Sequence, residues 1–275
     1  MVFEITRSIA VSPSKTDFGP ILFAGELEKG IAVVKRVGFK MVDLSIRDPN
    51  DTTVQEAVKI ILDNGMGVTT IATGQSYYND GISLSHLNKR KRKMCISRML
   101  AHIDLASKLN SFVTIGGIRG AGLNSKRIDL PSYFDNLKDS FSEIIPYAEK
   151  RNVILLLEPI NRYETMLINT IKEAVSWIDE IGSSNLKILP DTFHMNIEEN
   201  SMEDNLIIFG KYISYIHFAD SNRLAPGWGH LNFKGITSVL KEIDFKGAVG
   251  VEILPRPGSY DAAVQAYKYL DMLFN

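Results

Sequence analysis

The 275-residue chain reads as an α/β protein, a single (β/α)8 barrel with its active site at the C-terminal ends of the strands. Three observations predict this. Short β-branched and apolar runs alternate with amphipathic segments from end to end, the pattern of parallel strands joined by crossover helices. Eight such units follow one another, and no Pro/Gly/Ser-rich linker or low-complexity tract interrupts them. A barrel of this kind takes about 250 residues, so residues 1–275 are expected to form one domain.

The strands are expected at Phe3–Ile9, Met41–Ile46, Gly67–Ala72, Phe112–Gly116, Val153–Leu157, Leu186–Leu189, Tyr215–Phe218 and Ala248–Ile253. The helices between them carry local start and stop signals. Asp51-Thr52-Thr53 caps VQEAVKIILDNG, which ends at Gly65, and Asn169-Thr170 precedes IKEAVSWIDEIG, which stops at Gly182. Pro131-Ser132 opens a helix ending near Arg151, and the last runs over Ser259–Leu273. The basic stretch Lys89-Arg90-Lys91-Arg92-Lys93 leads into apolar residues at three- and four-residue steps and reads as the solvated start of another helix. Three connections after strands are long: Thr73 to Leu87, Gly117 to Leu130 and Ala219 to Asn232. All follow strand C-terminal ends, where barrel enzymes build their sites.

Composition narrows the function classes. Lys and Arg number 31 against 32 Asp and Glu, so no overall field favours nucleic acid or an anionic membrane. Hydrophobic content of 45% supports one large core without staples. Cys95 is the lone cysteine, which rules out an intrachain disulfide and reads as buried packing. The first residues, MVFEITRSIAVS, lack a signal-peptide pattern, and no apolar run approaches the roughly 20 residues that span a bilayer. A soluble, cytoplasmic protein is expected, with a homo-oligomer left open.

Four side chains stand just past hydrophobic runs in the second half: Glu158 after VILLL, Asp191 after LKILP, His217 after SYI and Glu252 after AVGV. They are 33, 26 and 35 positions apart, about one strand–helix unit each time. If the units close in a ring, the four must converge. Glu158 sits at the end of an apolar strand, where a carboxylate is costly unless a cation or hydrogen bonds compensate it. Asp191 and His194, three apart, reach one point if a helical turn starts there. Three carboxylates and one imidazole, with no thiolate, suit one divalent metal ion, Mn²⁺ or Co²⁺ first and Mg²⁺ next.

The motifs EPxNRxE, PDTFHMNIEE, HxADSNRxAPGxGH and VEILP, in that order, resemble the sugar isomerase/epimerase superfamily of xylose-isomerase-like TIM barrels, and within it the ketose 3-epimerases. FAGELEKGIAVVKRVGF, SIRDP and ATGQSYYNDGISLSH are similar to the 5-keto-L-gluconate epimerases of that branch. The resemblance implies metal ligands at Glu158, Asp191, His217 and Glu252. It makes Glu158 and Glu252 also the catalytic acid/base pair, and Glu164, His194 and Arg223 substrate contacts. The implied reaction inverts the carbon beside the ketone of a small sugar or keto sugar acid through a cis-enediolate.

A carboxylated substrate would need a cation, and Arg47 and Arg119, after the second and fourth strands, are the expected partners, with Arg7 near the first. Tyr77, Tyr78 and Trp228 are candidates to wall the pocket. The nearest alternative is aldose–ketose or hydroxypyruvate-type isomerisation on the same site. An abasic-site endonuclease on this barrel would need a cluster of His ligands, whereas the chain has five histidines, none at Val113–Gly117, and a neutral charge balance.

Overall fold

The structure is a computed structural model, and it describes residues 5–16, 19–122 and 125–275. Eight parallel strands run through it: β1 (Thr6–Val11), β2 (Met41–Ser45), β3 (Gly67–Ala72), β4 (Phe112–Ile115), β5 (Leu155–Leu157), β6 (Leu186–Ile188), β7 (Tyr215–His217) and β8 (Ala248–Val251). In the sheet they follow the order β6-β5-β4-β3-β2-β1-β8-β7. β6 and β7 then meet through the bridges Ile188 to Ile213 and Asp191 to His217, which bring the sheet nearly full circle. The expected (β/α)8 TIM barrel is what forms.

The strands are buried on both faces, so they read as continuous apolar runs rather than alternating ones. Leu155, Leu156 and Leu157 of β5 are all fully buried. Every expected strand is present, most of them shorter by a residue or two. β1 instead continues to Val11, in register with Leu44 of β2. Phe3 and Glu4 of the expected first strand lie outside the described residues.

Helix ends fall where the local chemistry predicts. Thr170 caps the helix Ile171–Ile181 by a full capping box with Glu173, and Gly182 closes it in the left-handed region at φ 72°. The basic stretch begins the helix Lys89–Leu109, capped by the Asn88 side chain. Two short helices lie in the loops above the barrel, Gly74–Asp80 after β3 and Thr192–Glu198 after β6. No membrane-length apolar helix is found among the described residues.

Candidate metal and substrate site

Each of the four metal-binding candidates is delivered by a strand end. Glu158 follows β5 directly, Glu252 follows β8, His217 is the last residue of β7, and Asp191 lies three residues beyond β6. The Asp191–His217 bridge is part of the seam that closes the barrel, so closure itself sets these two side by side. One ligand atom from each of Glu158, Asp191, His217 and Glu252 lies within 4.8 Å of the other three, and all four residues are buried.

The arrangement fits a cation. Glu158 Oε1, Asp191 Oδ2 and His217 Nδ1 are buried and meet no hydrogen-bond partner. His217 Nδ1 stands 3.7 Å from Glu158 Oε1 and 4.0 Å from Asp191 Oδ2, too far for a hydrogen bond and well placed to share an ion. Burial pushes the Asp191 carboxyl up to about 6, against the lowering effect of His217 and Arg223. Burial also raises Glu252 to about 8, with His217 opposing and Glu158 reinforcing. Burial alone would lower His217, but its Asp43 hydrogen bond and the surrounding carboxylates outweigh that and hold it well above its usual value. Side chains crowded into such shifts are those a divalent charge would relieve.

Glycine makes room for one of these carboxylates. A Cβ at Gly116, just past β4, would collide with Glu158 Oε2. The site therefore needs a bare backbone beside Glu158.

The substrate candidates gather on one side of this centre. His194, Glu164, Arg223 and Tyr78 line one cavity together with Glu158 and Glu252. Asp191 caps the helix Thr192–Glu198 by accepting from the Phe193 N–H, and the helical turn brings His194 round to the same cavity. Burial, then the Arg223 and Arg119 charges, holds the His194 pKa well below its usual value, so its ring is neutral. Arg223 donates to Glu164 Oε1 and to Glu252 Oε2, each at 3.2 Å, and its guanidinium lies 4.9 Å from the Phe193 ring centroid. Its backbone is in the left-handed region at φ 59°, a conformation L-residues adopt only when their surroundings impose it.

Asn161, inside EPxNRxE, was not singled out by sequence reasoning although the motif contains it. Its Nδ2 lies 2.7 Å from His194 Nδ1 and donates to Glu164 Oε1 at 3.0 Å. Its Oδ1 accepts from the Tyr163 N–H, which fixes the amide's orientation. His194 Nδ1 is therefore the acceptor, and Nε2 carries the proton. Asp220 was also missed. Its carboxylate accepts from the backbone N–H of Ser221, Gly227 and Leu231 and ties down the loop that bears Arg223.

Neither Arg47 nor Arg119 is among the described residues that line this cavity. Arg47 is about half exposed and its guanidinium pairs with Asp80. Arg119 is fully buried, but its guanidinium faces main-chain carbonyls: Nε donates to Leu167 O at 2.9 Å, one terminal nitrogen to Ile168 O at 3.1 Å, and the other to Glu158 O and Gly116 O. Arg119 thus braces the backbone that presents Glu158, with its donors occupied there. Arg7 pairs with Asp271 near the N-terminal end of β1, opposite the site. Of the aromatic candidates, Tyr78 lines the cavity, while the Tyr77 hydroxyl accepts from the Gly122 N–H and Trp228 packs against the core.

Comparison with known proteins agrees with this architecture. The sequence profile of the xylose isomerase-like TIM barrel matches residues 31–270. The D-psicose 3-epimerase of Enterocloster bolteae is 41% identical over 129 residues, 47% of this chain and 42% of that enzyme. The D-psicose 3-epimerase of Agrobacterium fabrum is 28% identical over 234 residues, 83% of this chain and 79% of that one. The solved D-psicose 3-epimerase of Clostridium cellulolyticum H10, in complex with D-tagatose, superposes with a TM-score of 0.80 at 23% identity and covers 98% of both chains. The profile match runs from the first helix into the last and takes in β2 to β8, and on that ground the chain belongs to the xylose isomerase-like TIM barrel family.

Proposed function

We propose that this chain is a divalent-metal-dependent sugar epimerase that inverts the carbon next to the ketone of a small ketose. The observation that carries this reading is the pair Glu158 and Glu252, buried, borne on β5 and β8, and aimed at the same point from different strands. Glu158, Asp191, His217 and Glu252 would hold the ion, Mn²⁺ or Co²⁺ by donor type. When bound, it supplies a Lewis acid beside the substrate carbonyl.

The residues divide the remaining work. One glutamate takes the proton from the carbon beside the ketone, the C–H electron pair moves toward the carbonyl oxygen, and an enediolate results. The other glutamate returns a proton to the opposite face, and the electron pair goes back to re-form the ketone. Their roles exchange in the reverse direction, as two-base inversion requires. The neutral His194 donates from Nε2, and Arg223 presents its guanidinium, toward the oxygen that gains charge. Glu164, held by Asn161 and Arg223, accepts from a substrate hydroxyl.

An uncharged ketose is favoured over a keto sugar acid. Among the described residues lining the cavity the cation is Arg223, which already serves two carboxylates, and the Arg47 and Arg119 guanidinium groups are engaged elsewhere. Incubation of a panel of ketoses, keto acids and ketose phosphates in D₂O with NMR readout tests the proposal. Deuterium at C3 with the epimeric ketose is expected, and Glu158→Gln or Glu252→Gln should lower kcat by at least about 100-fold. Deuterium at C1 with an aldose as product would make the enzyme an isomerase instead, and turnover confined to keto acids would overturn the substrate class.

A further inference from the structure

Below the candidate ligands the barrel interior holds a second polar group that the proposed chemistry does not use. Asp43 of β2 is 1% exposed in the middle of an apolar strand. Its Oδ1 accepts from Ser8 Oγ of β1 at 2.7 Å and from the Tyr215 hydroxyl of β7 at 2.6 Å. Its Oδ2 lies 3.2 Å from His217 Nε2. β2 and β7 are separated in the sheet by β1 and β8, so these bonds cross the barrel interior. Space for the carboxylate is left by Gly250 of β8, where a Cβ would stand 2.5 Å from Asp43 Oδ2 and 2.6 Å from the Tyr215 hydroxyl.

A carboxylate oxygen accepts hydrogen bonds, and with Oδ1 taken by the Ser8 and Tyr215 hydroxyls it is Oδ2 that faces the imidazole. His217 Nε2 must then be the N–H donor. The other ring nitrogen, Nδ1, is the one that faces Glu158 and Asp191 without a hydrogen-bond partner. We infer that Asp43 is a positioning residue that, in the neutral His217 ring that takes up an ion, keeps the remaining proton on Nε2 and the Nδ1 lone pair turned to the metal position, and so sets the affinity for the divalent ion. This rests on the metal-site reading above. Ser8 and Tyr215 keep Asp43 itself from rotating, and the negative charge behind the imidazole strengthens its donor nitrogen. Partners of this kind behind a ligand histidine govern orientation as much as the ligand does.

The test uses the full-length protein stripped with EDTA and titrated with Mn²⁺, the free ion being followed by its EPR signal. In Asp43→Asn the amide can offer an N–H to Nε2 and let the proton move to Nδ1. Mn²⁺ should bind about 10- to 100-fold more weakly, with an unchanged far-UV circular dichroism spectrum. Ser8→Ala keeps the carboxylate and should shift the Kd by no more than about threefold. A merely structural network would lower the melting temperature of the stripped protein and leave the Kd alone. An Asp43→Asn affinity within about twofold of wild type therefore overturns the inference, as does a Ser8→Ala loss equal to that of Asp43→Asn. Should Asp43→Asn fail to fold, long-range ¹H–¹⁵N spectra of the Mg²⁺-loaded wild type decide: a proton on His217 Nε2 supports the inference and a proton on Nδ1 overturns it. A wild type that takes up none of these ions sinks the metal-site reading itself, and this inference with it.

Discussion

Asn161 places both N–H bonds of one amide on site residues, His194 and Glu164, while its oxygen is held by the Tyr163 backbone. That geometry leaves a single role for each ring nitrogen of His194. Removing the amide frees the imidazole to adopt the other tautomer, in which Nε2 can no longer donate. Asn161→Ala is expected to lower kcat by about 10- to 100-fold while KM moves by less than about threefold, because the lost contact matters most to the charge that develops during the reaction. Steady-state kinetics on whichever ketose turns over checks this, and an unchanged kcat would remove Asn161 from the machinery.

The β7–α connection is the element that most shapes the substrate side of the cavity. It contains no helix between Phe218 and Asn232, so its form depends on side chains. Asp220 supplies the organisation, with three backbone N–H groups converging on its carboxylate and Gly229 packed so closely that a Cβ would collide with it. Arg223, in its left-handed conformation, is bracketed by the Arg223 N–H bond to Asp220 O at 2.8 Å and the Leu254 N–H bond to Arg223 O at 2.9 Å. Asp220→Ala should cost about 2–3 kcal/mol of stability, since it removes a buried carboxylate on which three backbone hydrogen bonds converge. It should also raise KM about tenfold by letting Arg223 drift. Limited proteolysis that shows no new cleavage between 220 and 231, together with a wild-type KM, would count against this account.

At the scale of the whole molecule, one buried group ties stability to pH. His102, fully buried within the helix Lys89–Leu109, has neither ring nitrogen hydrogen-bonded among the described residues, and burial lowers its pKa to about 3. The unfolded chain binds that proton near pH 6.5, the folded chain only near 3. Between those values the unfolded state holds more protons, so stability falls as pH drops from 6.5 toward 3 and is fully present above 6.5. At pH 5 the loss from this residue alone should be about 2 kcal/mol. Urea unfolding at pH 8 and pH 5 for wild type and His102→Leu checks it. The variant should lose less stability between the two pH values, and equal losses would show that His102 is not the group responsible.

Much of this is legible in the amino-acid sequence. The eight apolar runs and the Thr170 and Gly182 punctuation determined the barrel, because strands buried on both faces and helices with chemical caps leave their pattern in local sequence. The 33-, 26- and 35-residue spacing of Glu158, Asp191, His217 and Glu252 pointed to convergence for the same reason, since a regular unit repeated round a ring brings equivalent positions together. Arg47 and Arg119 could not be read this way. Their positions after strands are right for substrate, but the partner of a long guanidinium is chosen by whatever carboxylate or bare carbonyl lies within reach, Asp80 for one and the Leu167, Ile168 and Glu158 carbonyls for the other. Asp43 carried a weak signal, a carboxylate inside the apolar run MVDLS, yet its link to His217 joins residues 174 positions apart on strands that are not neighbours in the sheet. Local sequence determined the ring and the residues at its rim, and only the closed barrel decided which of them touch, because contacts across its interior depend on closure and not on spacing.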